Sequence, residues 1–122
     1  MKKIILSMVI LFLSYSMLFG ATFGEINALK TAKNYLELTA FSYSGLIQQL
    51  EMGEGYAHSE AEYAAKNCGA DWNEQAAKSA EQTRDYNPSY SIQRIVNLLL
   101  YEGFTNEQAW YGVGQAFKND TK

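Results

Sequence analysis

Apolar positions return along the chain at helical spacing. Ala28, Ala32, Tyr35 and Leu36 stand at i, i+4, i+7 and i+8, and Ile92, Ile95, Val96 and Leu99 form a second stripe of the same kind. This is the pattern of a helix that buries one face. No stretch alternates β-branched and polar residues with period two, as a half-buried strand would. With a single proline in 122 residues, the pattern predicts an all-α fold.

The stripes belong to a repeat. A gapless shift of 48 positions lays Ala28, Lys30 and Ala32 on Ala76, Lys78 and Ala80, and Ile47 and Leu50 on Ile95 and Leu98. It also lays Glu54-Gly55-Tyr56 on Glu102-Gly103-Phe104, and Ala61 and Tyr63 on Ala109 and Tyr111. A gapless period over most of the chain marks one supersecondary unit used twice. The expected divisions are residues 1–21, a first repeat over 22–70 and a second over 71–122.

Each repeat reads as three short helices. The first helix of the second repeat opens with Asp71-Trp72-Asn73-Glu74, a capping-box pattern in which Asp71 accepts from the backbone and Glu74 reaches back. Trp72 is then placed to pack between the repeats. The second helix is expected over about 44–52 and 91–102, ended by Gly55 and Gly103, because glycine takes the left-handed conformation at a helix end without a Cβ penalty. Ile95 and Leu98 are expected in the core. Thr105 with Gln108 caps the third helix, whereas Ala57 at the equivalent place has no capping oxygen, which moves the expected start to Ser59 with Glu62. Pro88, after Arg84-Asp85-Tyr86-Asn87, is expected to stop the second repeat's first helix early.

The first residues follow another pattern. Lys2 and Lys3 precede an apolar run from Ile4 to Phe19, interrupted only by Ser7, Ser14, Tyr15 and Ser16, which reads as an export signal. The run is short for a membrane span, yet Leu18 and Phe19 leave no small-residue cleavage site before Ala21. Cleavage and retention as an N-terminal membrane anchor are both compatible with it.

Charge narrows the partners. Lys2 and Lys3 are the only charges in the first 21 residues, so the ten basic and thirteen acidic residues of the chain leave eight and thirteen beyond Ala21, a formal charge of about −5. Such a surface repels phosphate backbones; it suits a partner with a basic patch, and it is also the common solubility device of a surface that binds nothing. Helix, glycine turn and helix also outline a DNA-reading motif, but the third helix carries no Lys or Arg between Thr105 and Phe117 and only Lys66 between Ser59 and Asn67. Nucleic-acid binding is therefore excluded. Cys68 is the only cysteine and His58 the only histidine, so no disulfide forms within the chain, and no cofactor or metal is expected. Cys68 reads as a partly buried structural thiol, with an intermolecular disulfide as the alternative. Glu54 and Glu102 occupy one repeat position beside the turn glycine, which points to a structural role rather than an acid/base pair; no catalytic site is expected.

Phe41-Ser42-Tyr43-Ser44-Gly45-Leu46-Ile47-Gln48-Gln49-Leu50, Asp71-Trp72-Asn73-Glu74-Gln75-Ala76, Lys78-Ser79-Ala80 and Tyr101 to Ala109 together resemble the host cell surface-exposed lipoproteins of the Ltp type, with tandem helix-turn-helix-like repeats. The resemblance implies a place outside the membrane, no catalysis, and, for phage-borne members, superinfection exclusion, in which the resident protein hinders DNA delivery by a second phage. Leu18-Phe19-Gly20-Ala21 stands where a lipoprotein-processing box would, with Ala21 in place of the lipidated cysteine. The implied partner is a protein, for example a phage injection protein with a basic surface, with the membrane engaged through the N-terminal segment. The alternative is a host envelope, adhesion or secreted structural protein with no phage role. No single surface residue stands out as the binding site.

Overall fold

The computed structural model describes residues 20–118 and residue 120. The Ile4–Phe19 segment, with its expected export role, lies outside the described residues. Six helices follow in order: α1 (Phe23–Leu38), α2 (Tyr43–Glu54), α3 (His58–Asn67), α4 (Trp72–Tyr86), α5 (Ile92–Tyr101) and α6 (Asn106–Ala116). Among the described residues there is no strand, and no helix is long and apolar enough to cross a membrane.

Local chemistry sets nearly every helix start. Thr22, Ser42, Asp71, Ser91 and Thr105 each hold extended backbone and accept a backbone N–H from the first turn, satisfying donors that have no partner inside the helix. Thr105 and Gln108 form the expected capping box. The box at Asp71 is only half made: Asp71 accepts from Asn73 and Glu74 at 3.0 and 3.3 Å, while the Glu74 carboxylate accepts instead from the Tyr111 hydroxyl at 3.4 Å. The expected late start at Ser59 is also corrected. α3 begins at His58 behind Ala57, because Glu60 accepts the Ala57 N–H at 2.9 Å and so supplies the half of the box that alanine allows.

Each repeat has its own core. Ala28 and Ala32 from α1, Leu46 and Leu50 from α2, and Ala61, Ala64 and Ala65 from α3 form the first. Ala76 and Ala80 from α4, Ile95, Val96 and Leu99 from α5, Phe104, and Ala109, Val113 and Ala116 from α6 form the second. Alanines line the contact between first and third helices, so those backbones approach closely, and the second helix fills the remaining space with branched side chains. At Gly112 the approach is closest: an added Cβ would lie 2.6 Å from the Ala76 carbonyl carbon and oxygen.

The glycine turns are as the sequence implies, with φ of 77° at Gly55 and 101° at Gly103. The register of the second helices is not a uniform 48. Ser42, Leu46 and Leu50 correspond to Ser91, Ile95 and Leu99, a shift of 49, whereas Tyr56 corresponds to Phe104, a shift of 48. The extra residue sits in the last turn of α2, where the Tyr56 N–H returns to the Leu50 carbonyl; in α5 the Phe104 N–H returns to Leu99, one residue closer. Leu98 is consequently only half-buried and Leu99 is the core residue, which corrects the expectation for Leu98. Nor does Pro88 shorten α4. The helix ends at Tyr86, the counterpart of Leu38 that ends α1. Asn87 is already non-helical and donates to the Thr83 carbonyl, so Pro88 follows at a place where the residue before it is required to leave the helix anyway.

Candidate functional site

The two repeats meet where α2 begins and α5 ends. Ser42, buried, accepts the Gly45 N–H at 2.9 Å and donates its hydroxyl to the Glu102 carbonyl at 2.5 Å. Ser44 donates to the Gly103 carbonyl at 3.2 Å, and Gln75 accepts the Phe41 N–H at 3.1 Å. The electropositive start of one helix thereby faces the carbonyl end of another. A Cβ on Gly45 would come within 3.1 Å of the Glu102 carbonyl oxygen, so glycine is what permits the approach. Trp72 packs edge-on against Tyr43, 5.5 Å between ring centres, and lies against the first core, as its place at the boundary implies. The joint is one-directional: at the opposite ends Ser91 is exposed, Arg94 stands where Gly45 would be, and the space around Gly55 is open.

Both turn glutamates brace their own repeat. Glu54 accepts from the Tyr35 hydroxyl on α1, which raises the Tyr35 phenol above its usual range, and Glu102 accepts from Ser79 on α4 at 2.6 Å. Each carboxylate is thereby engaged within its own repeat. Cys68 is a half-buried free thiol whose Sγ lies 3.4 Å from the Ala65 carbonyl. His58 bridges α2 and α3: Nδ1 is 2.5 Å from Glu51 and Nε2 is 3.2 Å from Glu62. The hydrogen bond to Glu51, then its charge, raises the imidazole pKa. Glu62 also holds Lys66 at 2.6 Å, which lowers the Glu62 carboxyl. The sequence contained both glutamates and the histidine, but only the α2–α3 crossing brings Glu51 within reach, seven residues away.

A shallow cleft of about 550 Å³ lies between the starts of α1 and α3, lined by Thr22 to Glu25 and by Ala57, Ser59 and Glu60. Its carboxylates, Glu25 and Glu60, already accept the Thr22 and Ala57 N–H groups at 2.9 Å, and each thereby serves as a helix cap. No group of three or more metal-ligating side chains occurs among the described residues. The second repeat instead offers aromatic surface. Tyr101 at the end of α5 and Trp110 and Tyr111 on α6 are 91%, 46% and 40% exposed. Burial, and then the adjacent Glu74 carboxylate, raises the Tyr111 phenol. Exposed aromatics with few rotatable bonds suit a binding face.

The sequence profile of the host cell surface-exposed lipoproteins matches residues 25–68 and 71–115, one match for each repeat. The chain belongs to the Ltp lipoprotein family. A solved structure of Ltp, a superinfection exclusion protein from the Streptococcus thermophilus temperate phage TP-J34, is similar to it with 32% identity and a TM-score of 0.71, over 77% of this chain and 96% of that one. No curated protein sequence matches. The tandem repeat and all-helical fold are thus shared with the family.

Proposed function

We propose that the chain is an exported, non-catalytic binding module that excludes a second phage by engaging a protein of the incoming particle, leaving adsorption intact while DNA delivery fails. The observation that carries this reading is the likeness to a superinfection exclusion protein over both repeats. The acidic balance beyond Ala21 favours a basic segment as the partner's contact, steered over about 8–10 Å at physiological salt and weakened as salt rises. Tyr101, Trp110 and Tyr111 supply the large, rigid contact area such a partner requires. With Ala21 in the cysteine's place, the Ile4–Phe19 segment, left uncleaved, holds the protein at the membrane.

Expression in a host sensitive to related phages tests this. Adsorption stays normal while the amount of injected DNA falls, and the protein is digested by protease added to intact cells. Equal DNA delivery across a panel of related phages removes the exclusion role; protection from external protease removes the surface placement.

A further inference from the structure

We infer that the exposed face of α1 lies on the anionic membrane surface, with Phe23 and Ile26 in the interface and Lys30 and Lys33 on lipid phosphates. The inference rests on the anchor reading above. Phe23, Ile26, Lys30 and Lys33 fall at i, i+3, i+7 and i+10 and so share one helix face; all four are exposed, Phe23 by 81%. The internal repeat shows that this composition is not what the fold demands. The counterparts are the cap Asp71 and, on α4, Glu74, Lys78 and Glu81, all exposed, so this face carries no large apolar residue and a single lysine where α1 carries two of each. Neither Lys30 nor Lys33 forms an ion pair with a described carboxylate. The nearest acids at the Phe23 end, Glu25 and Glu60, are turned to the backbone of helix starts, and Glu37 lies one turn beyond Lys33 at the far end of the face. The occupant follows from continuity of the chain: the apolar Ile4–Phe19 run ends four residues before Phe23, with no linker to lift α1 away from a bilayer that holds this run. An exposed helix face with large apolar residues at one end and lysines behind them is the arrangement that lies in a lipid interface. Tyr101, on α5 of the second repeat and 91% exposed, is the reference position on the other repeat.

Depth quenching on the full chain tests this. Ile26→Cys and Tyr101→Cys, each in a Cys68→Ser background, carry the same fluorophore in vesicles of phosphatidylcholine and phosphatidylglycerol containing brominated lipid. The expected result is quenching at position 26 several-fold above that at 101. Since each lysine near an anionic surface is worth about fivefold, Lys30→Gln with Lys33→Gln lowers the ratio of docked to lifted protein about 30-fold while helicity by circular dichroism is unchanged; purely neutral vesicles do the same. A chain that stays on the vesicles with position 26 quenched no more than 101 overturns the docking and leaves the anchor standing. Quenching at 26 that ignores both the lysines and lipid charge overturns the assignment of lipid phosphates, and a chain that washes off the vesicles overturns anchor and docking together.

Discussion

Replacing Gly112 by alanine isolates a close backbone approach in the core of the second repeat. In solvent or at an open helix position this change gains up to about 1 kcal/mol, since alanine loses less backbone freedom than glycine. Here the added Cβ would sit 2.6 Å from the Ala76 carbonyl and 2.9 Å from the Ala77 nitrogen. Ordinary van der Waals separation is nearer 3.5–4.0 Å, so α6 must move back from α4 by about 1 Å. Both contacting atoms are backbone, and no side chain can swing away. The displacement loosens Ala76, Ala80, Ala109, Val113 and Ala116 together. Over-packing of this kind costs about 1–3 kcal/mol and occasionally more. Taking the upper end for a backbone clash and subtracting the helix gain leaves a net loss of about 2 kcal/mol. For a domain of this size that lowers Tm by roughly 8–16 °C. Gly114, two residues on in the same helix, has nothing within 4 Å of its added Cβ. Gly114→Ala is therefore expected to raise Tm by a few degrees, and the pair is read by circular dichroism melts side by side. A Gly112→Ala protein as stable as the parent, or equal destabilisation by both substitutions, would refute the reasoning.

Leu99→Ala is expected to cost about 2–5 kcal/mol and Leu98→Ala clearly less, measured by urea unfolding; the reverse order would mean that the register of α5 is one residue out. Ser42→Ala removes a helix cap and leaves the Glu102 carbonyl without its donor, a loss of about 1.5–3 kcal/mol, whereas Ser91→Ala removes only a cap at about 1 kcal/mol; equal losses would show that the joint contributes nothing. His58 is expected to titrate by NMR above the free-histidine value of about 6.5, because Glu51 stabilises the imidazolium. Its contribution to stability is therefore complete below that pH and fades as pH rises through the folded midpoint; a midpoint that Glu51→Gln fails to lower contradicts the bridge.

Helical class, repeat count and turn positions were legible because each is written locally. Apolar spacing names a helix face, and glycine followed by an aromatic names the end of α2 and α5. What escaped was set by packing between distant residues. Leu98 and Leu99 are equally apolar, and only the one-residue slack in the last turn of α2 decides which faces the core. Glu60 rescuing the start behind Ala57 required knowing that a half box suffices. Ser42 is a residue type common at N-caps, and its second bond, to Glu102 sixty residues away, has no local signature. The exposed aromatics were least legible, since nothing local in the sequence separates Tyr101, Trp110 and Tyr111, which are exposed, from aromatics that pack a core.

The central claim, that these tandem repeats stop an incoming genome outside the cell, is tested most directly by following labelled phage DNA into cells. The host either expresses the chain, expresses the Gly112→Ala, Leu99→Ala double variant as an unfolded control, or expresses neither. The expected result is equal adsorption in all three and reduced intracellular DNA only with the folded chain. Equal DNA delivery in all three, with the folded chain confirmed on the cell surface, would contradict it.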